Sequence, residues 1–351
     1  MRIHVISETA FVMKATGVHT AFVEHIELLK EKDDIEVVVN DEGTGDVFHG
    51  HTYGLYYLWK GRKYKGKRVF TAHVIPDSIK GSLPAWQLFM PFIKLGLRIV
   101  YSYADVCIAI SPMVEKAIKA TGSKTKIIRI YNPVNIDNWK RTEERRKKGR
   151  EKLGLTENEF VVLGVGQLTG RKGVDDFLDI ADSIPEVKFV WAGGRPFGRL
   201  SEGIKRIDKR IGNTGKNFIN AGQLALEDMA DIYAASDLML FPSYQENCPL
   251  APLEAAASGI PVIYRDIEEY KSLYEYPYLK AKNKEEFIAL TKKMITDKQF
   301  YNNGLKISED LLLQFDKDLI RNKLINTYRN LLTNWQLKKS DTRYSILGAD
   351  S

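Results

Sequence analysis

The sequence predicts an α/β protein of two Rossmann-like, doubly wound domains facing a central cleft, and three observations lead there. At 351 residues the chain exceeds one ordinary core and suits two domains of roughly 150–180 residues each. Short β-branched runs recur along it, with helical patterns between most of them. Each run is nearly all apolar rather than alternating, as strands of parallel sheets covered on both faces must be. A composition of 44% hydrophobic and 28% charged residues belongs to a globular protein.

The runs fall into two cycles. "IHVIS", "IEVVVN", "RVFTAH", "DVCIAIS" and "KIIRIYN" are the strands of the first domain, and "FHGHTYG" follows a further strand with His49 and His51 as expected cleft lining. The polar stretch from Asn132 to Arg150 contains "RTEERRKKGREK", too charged to enter a core, and marks the boundary. The cycle restarts with "FVVLGVG", "VKFVWAGG", "NFINAG", "LMLFPS" and "PVIYRD". The division is therefore expected as 1–135 for one Rossmann-like domain and 136–333 for a second. The last helix is expected to cross back to the first domain, and 337–351 to be a flexible tail.

Two cysteines, Cys107 and Cys248, are too few and too far apart for a disulfide framework or a zinc site and read as buried thiols. No basic start leads into an apolar h-region, so no signal peptide is expected. The stretch "LFMPFIKLGLRIVYSYADVCIAI" is broken by Lys94, Arg98 and Asp105, which leaves no window of ~20 apolar residues to span a bilayer. The net charge of +7 is unevenly spread: residues 1–59 carry −6 and residues 60–140 carry +11. The densest run, "KGRKYKGKR", lies just before "GSLPAWQLFMPFIKLGLRIVYSYAD", whose aromatic and aliphatic residues alternate with Lys94 and Arg98. That is the composition of an interfacial helix on anionic lipid, against the plainer reading of a core helix with two snorkelling cations.

Ligands of open α/β sheets bind beyond the carboxyl ends of the strands, so those ends carry the functional reading. After "FVVLGVG" come Arg171, Lys172 and Gly173 at a helix start, where cations and the helix dipole together favour phosphate. Gly193 and Gly194 clear space above the next strand, and Gln223 and Leu224 begin a loop whose backbone can edge a flat base. "LMLFPS" then delivers "YQENCPLAPLEAAASG". Pro249 and Pro252 suit a loop and a first helical turn, where no backbone donor is lost. Gly259 ends the short helix. Glu246 on the loop and Glu254 in the helix can then reach different parts of one extended ligand, and carboxylates bind vicinal sugar hydroxyls well.

A loop Glu, seven residues, a helix Glu and "AAASGIPVI" resemble the E-x7-E motif of retaining glycosyltransferases of family 4, which have the GT-B fold. The resemblance spans nearly the whole chain, through "ADVCIAISPMVEKAIKATGSKTKIIRIYNPVNID" at the domain junction and "GQLTGRKGVDDF" at the phosphate loop. "MRIHVISETAFVMKATGV", "RKGVDDFLDIADSIPEVKFVWAGGRPFG" and "FPSYQENCPLAPLEA" are similar to the bacterial glucosyl-diacylglycerol glucosyltransferase branch, whose members make diglucosyl-diacylglycerol.

The resemblance implies roles residue by residue. Glu254 matches the acid on the ribose of a UDP-sugar, and Glu246 the acid near the transferred sugar, with Asn247, Cys248, Pro249 and Leu250 around it. Lys172 matches the lysine on the diphosphate, Gly17 the glycine close to it, and His73, ending "RVFTAH", the histidine beside the acceptor. Many relatives have Arg where Gln167 stands, so Arg171 is expected to supply the second cation. With Lys172, Glu246 and His73 at the reacting centre, the implied reaction moves a hexose, glucose in the first instance, from a UDP-sugar to monoglucosyl-diacylglycerol with retention. The implied location is the inner face of the cell membrane, on anionic lipid. No strand ends in Asp-x-Asp, so no obligatory metal or other cofactor is expected. A hydrolase pair of carboxylates is disfavoured because a basic phosphate loop has no purpose there. Rival readings are a family 4 enzyme with a soluble or polysaccharide acceptor, one using UDP-galactose, and a non-catalytic basic module. The last lacks any recognisable nucleic-acid motif, and no nucleic-acid partner is expected.

Overall fold

A computed structural model describes residues 1–12, 16–52, 54–79, 86–195 and 204–347. The first residues of the expected interfacial stretch, 81–85, lie outside the described residues, as do 196–203 and 348–351. The described residues form two six-stranded, all-parallel sheets. The first holds β1 (Arg2–Ile6), β2 (Glu36–Val39), β3 (Val47–Gly50), β4 (Lys67–Ala72), β5 (Val106–Ala109) and β6 (Lys126–Arg129), in the order β2-β1-β3-β4-β5-β6. The second holds β7 (Val161–Val165), β8 (Lys188–Ala192), β9 (Phe218–Gly222), β10 (Leu238–Phe241), β11 (Val262–Arg265) and β12 (Leu279–Ala281), in the order β12-β11-β10-β7-β8-β9. The central strands β3, β5 and β10 are buried along their whole length, as the unbroken apolar runs of β5 and β10 require.

Two strands escape the sequence runs. β3 is four residues, "VFHG", and half of it is His and Gly; β12 is a three-residue edge. His49 therefore lies inside a buried strand rather than after it.

The chain crosses between the domains at 132–139 and returns at 315–317, where Val134 and Asp316 form a parallel bridge. A 31-residue helix, Lys317–Leu347, then runs back along the first domain. Arg321 pairs with Glu31, Arg329 with Asp34 at 2.8 Å, and Tyr328 is fully buried against the first domain. The segment from 337 was expected as a flexible tail, but the helix continues through Leu347. Leu, Lys, Gln and Arg favour helix there, and no Gly or Pro intervenes before Gly348.

The glycines after β7 and β8 answer a close approach. Gly193 has φ +149°, and a Cβ on it would lie 1.9 Å from the carbonyl oxygen of Gly166. That oxygen accepts from Trp191 Nε1 at 2.9 Å, so it cannot yield freely. Gly193→Ala should lower stability by about 3 kcal/mol, from backbone strain and overpacking together. The midpoint of urea unfolding, with the slope unchanged, measures it.

Candidate active site

Chain order in the second sheet reverses at β7: β8 and β9 build outward on one side, β10 to β12 on the other. The loops leaving β7 and β10 are thereby neighbours, at the point where an open sheet leaves a crevice. The first loop carries a single 3₁₀ turn, Gly170–Lys172, closed by Gly173 with φ +72°. The second runs from Pro242 to the helix Ala251–Ala257.

These two loops grip each other. Lys172 Nζ donates to Glu246 Oε1, and Arg171 Nη1 donates to the carbonyl of Gln245 at 2.9 Å. Burial lowers the pKa of Lys172, and Glu246 opposes that shift. Glu254, one helical turn into Ala251–Ala257, accepts from the hydroxyl of Tyr233 at 2.6 Å. Burial pushes its carboxyl up to about 7. Glu24 of the facing domain is also pushed to about 7, by burial first and then by Glu27 and Glu254.

The first domain closes the other side. His73 follows β4, and its carbonyl accepts from Asn247 Nδ2 at 2.9 Å; the same amide donates to Ser78 Oγ at 3.0 Å. Asn132 Nδ2 donates to the carbonyl of Cys248 at 3.3 Å. Between the domains lies a cavity of about 600 Å³. Gly17, His73, Arg171, Lys172, Gln223, Leu224, Glu246, Asn247, Cys248, Pro249, Leu250 and Glu254 all line it, with Gln167 beside them. The structure thus brings every site residue implied by the family resemblance into one cleft.

His49 and His51 are a correction. Neither lines the cleft; both are buried behind it with His25. His49 Nδ1 lies 2.5 Å from the hydroxyl of Tyr328, its Nε2 lies 2.7 Å from Thr71 Oγ1, and His25 Nε2 lies 3.1 Å from the same Tyr328 hydroxyl. One ring nitrogen from each of the three histidines falls within 4.8 Å of the others, close enough to share a cation. Yet both nitrogens of His49 are already engaged, and no carboxylate belongs to the group to balance a dication. Burial drives the pKa of His25 and of His73 down to about 3, so both rings are neutral at physiological pH.

Sequence reasoning also passed over Tyr233, Glu24 and Asn132. Tyr233 and Glu24 sit on ordinary amphipathic helices, and no local signal distinguishes them.

Comparison with known proteins places this geometry. Residues 41–138 match the family described as Glycosyltransferase Family 4, and residues 145–306 match Glycosyl transferases group 1. The alpha-galactosylglucosyldiacylglycerol synthase of Streptococcus pneumoniae is 34% identical over 292 residues, 82% of this chain and 78% of that protein. The chain belongs to glycosyltransferase family 4. Another relative of this family 4 glycosyltransferase, the processive diacylglycerol alpha-glucosyltransferase of Acholeplasma laidlawii, is 29% identical over 88% of this chain and 93% of its own. Among solved structures, HepE of Anabaena in complex with UDP and glucose superposes with a TM-score of 0.72 at 19% identity, covering 93% of this chain and 99% of that one. Sucrose-phosphate synthase of Thermosynechococcus elongatus gives 0.75 at 18% identity, over 95% of this chain and all of the other. The GT-B architecture expected from the motifs is the one observed.

The raised carboxyl of Glu254 gives a signed pH dependence. Between pH ~4.5 and ~7 the folded protein holds this proton and the unfolded chain has lost it, so stability falls as pH rises through that window. Glu254→Gln removes this loss while leaving the opposing contribution of the neutral histidines. The stability of the variant relative to the parent should therefore rise with pH by about 1 kcal/mol per unit across the window. Urea melts at several pH values measure it, and parallel curves for the two proteins would overturn the assignment.

Proposed function

We propose that this family 4 glycosyltransferase moves a hexose from a UDP-sugar to a diacylglycerol glycolipid, monoglucosyl-diacylglycerol in the first instance, with retention at the anomeric carbon. The observation that carries the reading is the cleft itself: Lys172, Arg171, Glu246 and Glu254 face His73 across one cavity. The relatives' names support the acceptor, since one is a galactosylglucosyldiacylglycerol synthase and the other a diacylglycerol glucosyltransferase. HepE, solved with UDP and glucose, supports the donor class.

In this reading Glu254 accepts from the ribose hydroxyls, and the incoming diphosphate takes the Lys172 ammonium from Glu246. Glu246 is then free to accept from hydroxyls of the transferred sugar. The acceptor oxygen bonds to the anomeric carbon as the bond to the β-phosphate oxygen breaks, and that oxygen takes the acceptor's proton. Lys172 and Arg171 meet the developing charge, so no metal is required. Lys172→Ala should lower kcat/KM roughly 100-fold, about 3 kcal/mol. Glu254→Ala should chiefly weaken UDP binding, a contact present in ground and transition states alike. The test is product analysis by mass spectrometry with monoglucosyl-diacylglycerol in mixed micelles, each UDP-hexose in turn, with and without EDTA. Transfer that needs no lipid acceptor would sink the glycolipid reading, and dependence on magnesium or manganese would sink the metal-free one. UDP-galactose is the second donor to try, because the name of the 34%-identical relative carries a galactosyl product.

The same reading puts the protein on a membrane surface. No helix of the described residues is long and apolar enough to cross a bilayer. The helix Trp86–Tyr103 buries Leu97, Val100 and Tyr101 but turns Leu88, Phe89, Phe92, Leu95 and Ile99 to solvent, each 51–73% exposed. An ordinary core helix does not do this. Leu55 and Trp59, four residues apart on the adjoining helix Leu55–Gly61, are exposed as well. Lys63, Lys65, Lys94 and Arg98 are exposed too, two of them on the same helix, and exposed apolar side chains together with cations fit anionic lipid. Replacing these four cations by Gln should release the protein from anionic vesicles, each contributing about 1 kcal/mol. Turnover of a short-chain soluble glycolipid should survive. Sedimentation with charged and neutral vesicles, at low and high salt, measures it; binding indifferent to charge and salt would overturn the docking surface.

A further inference from the structure

The reaction centre rests on a histidine that the cleft never touches. His51 Nδ1 lies 3.0 Å from His73 Nε2, both rings are buried, and one of the two nitrogens must donate. The other nitrogen of His51, Nε2, is buried with no hydrogen-bond partner. This orphan decides the direction. A proton on His51 Nε2 would bury an N–H without an acceptor, which is costlier and rarer than a bare ring nitrogen left over. The proton of His51 therefore sits on Nδ1 and is donated to His73 Nε2. His73 is neutral, so its own proton is on Nδ1, the nitrogen it has left for the cleft.

From this we infer that His51 is a positioning residue that locks His73 in the Nδ1–H tautomer, so that His73 acts on bound substrate as a neutral hydrogen-bond donor and not as a base. The lock is supported from behind. The ring of His51 packs 4.3 Å from His25 and 4.5 Å from His49, and both of those rings are held by the single hydroxyl of Tyr328. Tyr328 belongs to the long last helix, so that helix reaches the reaction centre through three imidazoles. The inference rests on the transfer reaction proposed above and deepens it. A donor at His73 fits a mechanism in which the departing phosphate oxygen, not a side chain, takes the acceptor's proton.

Nitrogen-15 spectra of the full chain with labelled histidine read each ring's tautomer directly, without any turnover. His73, assigned by loss of its signals in His73→Gln, should show a pyrrole-type Nδ1 and a pyridine-type Nε2. The reverse pattern overturns the inference whatever the enzyme's substrate proves to be. Kinetics supply the second arm. His51→Phe should lower kcat about tenfold with little change in KM for the donor, while His51→Asn, whose amide can donate from the place of Nδ1, should recover most of it. Equal losses in the Phe and Asn variants would mean that His51 only fills space, and would overturn the positioning role. If His51→Phe does not fold, the spectrum of the unaltered protein still decides.

Discussion

A lysine buried from water keeps its charge by pairing with an anion, and Lys172 has Glu246. Much of the second domain serves that contact. The pair unites loops 74 residues apart in sequence, which requires β7 and β10 to be neighbours although two strands intervene along the chain. It requires the turn after β7 to be tight, and Gly173 supplies a backbone conformation that side chains resist, its hydrogen facing the carbonyl of Pro242 where a Cβ would come within 2.3 Å. Removing either charge would leave the other buried alone, a cost of several kcal/mol in general. The cleft is therefore held in order by its own paired side chains, and in the proposed reaction a diphosphate would enter by exchanging partners with Glu246.

The two halves of the cleft follow different electrostatic rules. In the second domain the charges are paired. In the first, the polar side chains behind the cleft are imidazoles kept neutral by burial: the hydroxyls of Tyr328 and Thr71 hold His25 and His49, and His51 leans on His73. Neutral groups pass hydrogen-bond direction from one to the next without paying for a buried charge, so orientation can be set at a distance. Glu254 and Glu24 stand between these regimes. Both are buried without a cation and both hold their protons to near neutrality.

Much of this was legible in the sequence, for a physical reason. Parallel strands are unbroken apolar runs, and the ligand-facing residues of a doubly wound domain follow directly after them, so Lys172, Glu246 and Glu254 are read by walking off strand ends. The end of β3 was misplaced because "VFHG" is short and half polar, and β12 was hidden because a three-residue edge carries no period. The role of His51 was invisible for a different reason. "FHGHTYG" says that two histidines are near a strand end, but only the fold says that one lies inside the strand and that the other leans on His73. Beyond 337 the polarity reads as a tail, although the residues are good helix formers and the helix continues through Leu347. The exposed face of Trp86–Tyr103 could be suspected from its composition. That it is uncovered required the packing of Leu97, Val100 and Tyr101.

The bridge between Val134 and Asp316 constrains how the cleft can open. The chain passes between domains twice, and the two passages lie side by side, with Val134 N donating to the carbonyl of Phe315 at 3.0 Å. Two adjacent tethers define an axle: the domains can swing about it, whereas a scissoring twist would tear the bridge. In such a swing, displacement grows with distance from the axle. Residues beside it, such as Asn132 with its hold on the Cys248 carbonyl, are carried least, and the far lip of the cleft travels most. Any opening of the cleft would thus widen its mouth about a pivot of fixed geometry.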